Sequence, residues 1–192
     1  MRSRAPKTGR RPCIGISACL LGRCVRYDGG HKLDPALCRS LRRSLRLVPV
    51  CPEVECGLPV PRESMRLVGD PGDPRLITVR SRVDHTRRMK RWAAHRLDEL
   101  EELGLCGFIF KANSPSCGVK RVRVYGARGA PSRKGVGLWA CAVMRRFPLL
   151  PVEEEAGLLD RVQRERFILR LASAQRRSVG SASRSTSQTG RP

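Results

Sequence analysis

The sequence predicts an α/β domain, a Rossmann-like three-layer arrangement with a mainly parallel sheet and helices on both faces. Two observations carry that expectation. Short apolar runs alternate with helical patterns of roughly 10–20 residues, as in a parallel sheet covered on both sides. Three of the runs also lead into a cysteine: Ile14-Gly15-Ile16-Ser17-Ala18-Cys19, Leu47-Val48-Pro49-Val50-Cys51-Pro52-Glu53, and Phe108-Ile109-Phe110, which continues through Lys111-Ala112-Asn113 to Ser114-Pro115-Ser116-Cys117-Gly118. As strands of one parallel sheet they would release all three cysteines at its carboxyl edge, where open α/β sheets gather ligands.

Taken in order, Cys13–Ala18 reads as the first strand, and the Gly-rich stretch from Cys19 to His31 as a loop. Asp34 caps a helix with Pro35 in its first position, running to about Leu45 with Leu37, Leu41 and Leu45 as its apolar stripe. The strand ending at Cys51 follows. Residues 57–73 read as loop, and Leu76–Val79 as a short strand. Asp84 caps the clearest helix, with Met89, Ala93, Leu97, Leu100 and Leu103 on one face and Gly104 at its end. Cys106–Phe110 is the next strand. Val122 and Val124 alternate with Arg121 and Arg123 as a half-exposed one. A Gly- and Arg-rich loop over 126–137 precedes a helix at about Leu138–Arg146. Leu149–Val152 and Ala156–Ala174 complete the pattern as strand and helix.

At 192 residues the chain can bury one good core. Its charge is extreme, 39 Lys and Arg against 17 Asp and Glu. Residues 1–12 hold five basic and no acidic groups, and residues 161–192 eight basic and one acidic, so the two ends carry +12 of the +22. Three segments are therefore expected: a basic disordered arm over 1–12, the α/β domain over 13–175, and a disordered basic tail over 176–192. Such charge suits a polyanionic partner such as RNA, and equally suits solvated Arg-rich ends. Nine cysteines, an odd number with no secretion signal, argue against a disulfide framework and for a reducing cytoplasm. Arg10-Arg11 as a twin-arginine export signal would cost the chain Cys19 on cleavage. No run approaches membrane-spanning length, so no membrane partner is expected.

Cys19, Cys51 and Cys117 lie far apart, without the C-x-x-C pairs of a locally encoded cluster, and buried cysteine is often an ordinary small apolar residue. Their position at strand ends favours a metal or iron–sulfur centre. Three thiolates on a 4Fe–4S cluster leave one iron open to a substrate atom, by the open-position logic of catalytic zinc. A three-cysteine zinc site competes, and a Cys nucleophile activated by His31 is a further alternative. Glu53 could act as acid or base, or cap a helix. Ser114 and Ser116 could orient substrate or water, or make turn hydrogen bonds around Pro115. Cys24 shares a loop with Cys19. Cys13, Cys38, Cys106 and Cys141 read as core, and Cys56 as structural.

Ser17-Ala18-Cys19-Leu20-Leu21-Gly22, Val25-Arg26-Tyr27-Asp28-Gly29-Gly30-His31-Lys32, Val50-Cys51-Pro52-Glu53, Pro61-Arg62-Glu63 and Ser114-Pro115-Ser116-Cys117-Gly118 together resemble the thiouracil desulfurase family. The resemblance runs from about Cys13 to Glu155. It implies an α/β domain holding a 4Fe–4S cluster on Cys19, Cys51 and Cys117, with Glu53 and Ser114 catalytic. Ser116, Asp28, His31 and Arg62 are the candidate substrate-binding side chains. The implied reaction replaces the sulfur of a thiolated pyrimidine, thiouracil or thiouridine, with oxygen and releases sulfide. Leu105–Lys111, Ser132–Leu138 and Phe147–Glu155 are further similar to the N-terminal catalytic half of two-domain tRNA 4-thiouridine desulfidases. Here a basic tail follows the matching Arg164-Glu165-Arg166-Phe167-Ile168 helix. A small thiolated base or nucleoside is thus the expected substrate, with tRNA reached through the basic surface and tails. An RNA-binding or zinc-binding module without catalysis is the alternative.

Overall fold

Among the described residues, eight strands form two four-stranded sheets, and five α-helices accompany them. The structure, a computed structural model, describes residues 11–127 and 130–185, with side chains described through 175. The elements are β1 (Cys13–Ser17), α1 (Pro35–Ser44), β2 (Arg46–Val50), α2 (Pro52–Glu55), β3 (Met65–Val68), β4 (Arg75–Thr78), α3 (Thr86–Glu102), β5 (Leu105–Phe110), β6 (Val122–Tyr125), β7 (Ser132–Gly135), α4 (Leu138–Arg146), β8 (Val152–Glu154) and α5 (Arg161–Ser185). The main sheet has the order β2-β1-β5-β8 and is parallel throughout.

Alternation along its strands gives the sheet two apolar faces. Cys13, Phe108 and Phe110 pack with Ala93, Leu97 and Leu100 of α3 and Trp139, Ala140 and Val143 of α4. On the other face Ile14, Ile16 and Ile109 pack with Leu37 and Leu41 of α1 and Phe167 and Leu171 of α5. These are the three layers that the sequence predicts. Phe108 stacks on Phe110 at 4.1 Å between ring centroids, and each fully buried side chain of this size contributes about 1.5–3 kcal/mol. Gly15 is required by that stack, because a Cβ there would lie 2.3 Å from the Phe108 ring.

α1 starts as expected, with Asp34 Oδ1 accepting from the Ala36 and Leu37 amides at 2.9 and 3.0 Å. Asp84 instead sits one residue before the N-cap of α3, which is His85, and accepts from the Thr86 amide at 2.8 Å. Leu103, expected on the apolar face, is 39% exposed.

The second sheet, β4-β3-β6-β7, departs most from the sequence reading. β3 lies inside 57–73 and β7 inside 126–137, both read as loop. β3 buries Leu67 and β7 buries Gly135, while their other residues remain at least partly exposed. An edge strand built from Ser132-Arg133-Lys134-Gly135 carries no apolar alternation, and only its ladder with β6 makes it a strand. The last strand occupies Val152–Glu154 rather than Leu149–Val152, because Phe147–Leu150 forms a turn first. At the ends, the Arg46 amide donates to Pro12 O and Arg11 to Arg42 O, so the body reaches Arg11. α5 continues through Ser185, past the tail boundary expected at 176. The rest of the expected arm and tail, residues 1–10 and 186–192, lies outside the described residues. Among the described residues no helix is long and apolar enough to cross a membrane.

Candidate active site

The carboxyl ends of β1, β2 and β5 deliver the three cysteines to one place, as parallel order requires. Cys19 sits in a single 3₁₀ turn, Ala18–Leu21, directly after β1. Cys51 follows β2 and caps α2. Cys117 lies in the turn after β5. All three are buried and face one cavity of about 310 Å³ that Glu53, Arg62 and Ser114 also line.

Cys51 and Cys117 are each held by a local device. The Cys51 amide donates to Glu55 Oε1 at 2.8 Å, and Glu55 pairs with Arg96 of α3 at 3.2 Å, fixing α2 and the strand end it caps. Burial pushes the Glu55 carboxyl up from its usual range. The Cys117 turn rests on α4: Trp139 and Ala140 donate to Ser116 O at 2.9 and 3.1 Å, and Gly137 donates to Gly118 O at 2.8 Å. Ser114 Oγ accepts from the Ser116 and Cys117 amides at 3.2 and 3.1 Å. Both directions from which that hydroxyl accepts are thereby used, which leaves its O–H as the group free to donate.

Burial governs the thiols. It pushes Cys19 up to about 11 and Cys51 up to about 12, with the Glu53 carboxylate adding to both. Cys117 is raised as well, again first by burial and then by Glu53, with Cys19 and Cys51 contributing. That mutual influence marks the three thiols and Glu53 as electrostatic neighbours. Glu53 Oε2 lies 3.5 Å from Cys51 Sγ. Arg26 and Lys111 draw Cys19 in the opposite direction. A cation in the cavity would favour the thiolates and reverse the effect of burial. Among the described residues no group of three or more His, Cys, Asp or Glu side chains is already arranged as a metal-ion site.

The other expected site residues divide. Arg62 lines the cavity, donating to Val25 O at 3.0 Å and Pro59 O at 3.2 Å. Ser116 does not: it is fully buried beneath α4, and its Oγ has no partner in the described structure. Asp28 and His31 lie outside the cavity wall and shape its loop. Asp28 pairs with Arg26 at 3.1 Å and accepts from the Gly30 amide, while His31 Nδ1 accepts from the Leu33 amide. Val25, Arg26 and Tyr27 are the wall residues from that loop. Lys111, Lys32 and Ser17 also line the cavity and escape the sequence reading. For Lys111 the available signal was its place immediately after β5. Cys24 is exposed, and Cys56 is half-buried with its thiol 3.3 Å from Glu53 O. Cys13, Cys38 and Cys106 are core, and Cys141 is half-buried.

A second groove of about 490 Å³ adjoins the cavity through Asn113 and Pro115, which line both. Its wall carries Arg66, Arg121, Arg123 and Arg133. The Arg66 guanidinium stacks 4.8 Å above the Tyr125 ring, and its Nε is buried without a partner.

Comparison with known proteins bears on the family and the fold. The sequence profile of the 2-thiouracil desulfurase family matches residues 14–155. The uncharacterized protein YbbK of Bacillus subtilis (strain 168) is 34% identical over 110 residues, spanning 55% of this chain and 72% of YbbK. The solved structure of the [4Fe-4S]-dependent thiouracil desulfidase TudS superposes with a TM-score of 0.63 at 32% identity, covering 78% of this chain and 94% of TudS.

Proposed function

This chain belongs to the 2-thiouracil desulfurase family, and on that premise we propose that a thiolated pyrimidine loses its sulfur in this cavity, giving the oxo base and sulfide. One observation carries the reading: Cys19, Cys51, Cys117 and Glu53, distant in sequence, line a single cavity at the sheet's carboxyl edge.

The donor set suits a 4Fe–4S cluster. Thiolate is the usual protein ligand of such clusters, and three of them leave one iron without a protein donor. The Arg26, Lys32, Arg62 and Lys111 side chains in the wall offset the negative charge of three thiolates. A three-cysteine zinc site would draw on the same thiolates, and metal analysis after reconstitution separates the two. Bound on Cys19, Cys51 and Cys117, the cluster supplies a Lewis-acidic iron for the thiocarbonyl sulfur.

The chain's own groups supply the rest. Glu53 Oε2 takes a proton from the water whose oxygen bonds to the thiocarbonyl carbon. The C–S bond then breaks with the sulfur keeping the bonding pair and taking the proton held by Glu53, and the oxygen's remaining proton is lost as the carbonyl forms, giving the oxo base and hydrogen sulfide. No electron is gained or lost overall. The Ser114 hydroxyl donates to a polar atom on the substrate's edge, because its acceptor directions are occupied. Arg62 and the Arg26–Asp28 pair hold the cavity mouth in shape. Anaerobic reconstitution, with iron and sulfide analysis alongside thiouracil turnover, tests this reading. Iron uptake with loss of thiocarbonyl absorbance is expected. Stoichiometric zinc with no iron uptake would sink it.

A second reading concerns substrate size. The four arginines of the adjoining groove suit phosphate oxygens. They favour a thiolated base carried on a nucleotide or tRNA over the free base alone. The discriminating measurement is kcat/KM for free thiouracil, thiouridine monophosphate and thiolated tRNA at two salt concentrations. A steep salt slope confined to the phosphorylated substrates is expected. RNA binding with no loss of thiouridine would instead favour a non-catalytic binding module. Among the described residues the nine cysteines form no disulfide, which suits a reducing cytoplasm.

A further inference from the structure

The segment 111–120 carries Ser114 and Cys117, and its two feet rest on consecutive carboxylates at the end of β8. Consecutive residues at a strand end project to opposite sides, and here each side chain takes one foot. Glu155 spans the first: its Oε2 accepts from the Ala112 amide at 2.6 Å, and its Oε1 pairs with the Lys111 ammonium. Lys111 Nζ also donates to Ala112 O at 2.9 Å, and the Lys111 amide donates to Ser17 Oγ at 2.9 Å. Glu154 takes the second foot. Its Oε1 accepts from the Val119 amide at 2.8 Å and the Lys120 amide at 3.4 Å, and the residue is only 7% exposed.

We propose that Glu154 and Glu155 are positioning residues, which clamp the two feet of the 111–120 segment and so set where Ser114 and Cys117 face the cavity. The inference rests on the function proposed above for that cavity, but the contacts it invokes are independent of the reaction. A carboxylate buried at 7% exposure without such acceptor duties would only destabilise the chain. Here two backbone amides of a non-regular segment, next to the turn of Cys117, have found their partner in it. Glu155 links the first foot to Lys111, which lines the cavity and acts electrostatically on Cys19.

The two clamps differ in a way that isosteric substitution can read. Glu154 uses one oxygen for both amides, so the carboxamide oxygen of Glu154→Gln can still accept from both. Glu155 uses one oxygen for each of two donors. Glu155→Gln must therefore turn its NH₂ group toward either the Ala112 N–H or the Lys111 ammonium, and one contact becomes donor against donor.

The test is the rate at which metal-free protein is alkylated at Cys117, followed by peptide mass mapping, with buried Cys106 of β5 as the reporter of global opening. In Glu155→Gln and Glu154→Ala, labelling of Cys117 should rise about tenfold or more, the scale of one unmade buried hydrogen bond, with Cys106 unchanged. Glu154→Gln should stay within about twofold of the parent. On reconstitution, the same order should appear in iron uptake and in the cluster's absorbance. The proposal is overturned if Cys117 labels at the parental rate in all three variants. It is equally overturned if Glu154→Gln behaves as Glu154→Ala does, or if Cys117 and Cys106 accelerate together. The two glutamine variants conserve shape and keep the comparison decisive should the alanine variant not fold. Parental labelling in Glu155→Gln would count against the clamp whatever the protein's activity.

Discussion

Replacing Gly137 by alanine tests how rigidly α4 holds the Cys117 turn from below. A Cβ at 137 would lie 2.4 Å from the Ser116 carbonyl carbon, 2.5 Å from its oxygen and 2.7 Å from the Cys117 nitrogen. All three are backbone atoms, so no side-chain rotation relieves the contact. Restoring an ordinary separation requires the turn and the helix start to part by about 1 Å. That displacement stretches the bonds from Gly137 to Gly118 O and from Trp139 to Ser116 O. The strain should cost about 1–3 kcal/mol, the range for an overpacked site, and lower Tm by a few degrees to about ten in a chain of this size. The effect on function should be larger, because about 1 Å of misplacement at a reacting group can remove 10²-fold in rate. The assay pairs thermal denaturation of the metal-free protein with iron content and thiouracil turnover after anaerobic reconstitution. A folded variant with depressed iron content, or with parental iron and turnover reduced about a hundredfold, is expected. Parental iron with parental turnover would refute the claim that α4 fixes the turn.

Glu53→Gln should leave iron content and cluster absorbance intact while cutting kcat by two or more orders of magnitude, roughly the contribution of a general acid or base; full activity would return Glu53 to a structural role. Cys51→Ser should lose cluster assembly altogether, since an alkoxide is a poor substitute for thiolate on iron, and parental iron uptake would remove Cys51 from the ligand set. In metal-free protein, burial raises Cys19 and Cys51 from 9.0 to about 11 and 12, so the native state holds these protons longer than the unfolded chain does. Their contribution to stability is full below about pH 9 and declines as pH rises toward 11–12, by about 1.4 kcal/mol per thiol per pH unit. Denaturant titrations of metal-free parent and Cys51→Ala at pH 8 and pH 10 measure it, and an equal loss in both proteins would contradict the assignment. Gly15→Ala, forced against the Phe108 ring, should destabilise the main sheet by about 1–3 kcal/mol, read as a lower denaturation midpoint.

Much of this protein was legible without coordinates because the relevant signals are local. Asp34-Pro35 announces α1 through capping chemistry, and the stripe Met89, Ala93, Leu97, Leu100 announces α3 through its period. The runs before Cys19, Cys51 and Cys117 read as strands because buried parallel strands are continuously apolar. Parallel order alone then sends their ends to one edge, so the convergence of the three thiols follows from sequence plus topology. The quoted motifs carried the family.

Other features had no local signature. β7 is polar, and nothing in Ser132-Arg133-Lys134-Gly135 distinguishes a strand from a loop until β6 supplies its hydrogen bonds. Ser114 and Ser116 are near-identical in sequence, two hydroxyls beside one proline, yet the turn aims one at the cavity and seals the other under α4. Asp28 and His31 belong to the motif but shape the wall rather than form it, while Arg26 and Tyr27 just before Asp28 line it. Glu154 and Glu155 are adjacent carboxylates whose separate duties depend on backbone amides 34 to 43 positions away in the chain. Sequence by itself determined which residues can do chemistry and which strands carry them, because propensity, capping and period act over a few residues. Only the tertiary structure decided which way each side chain turns and what it touches, because those contacts join segments that no local pattern relates.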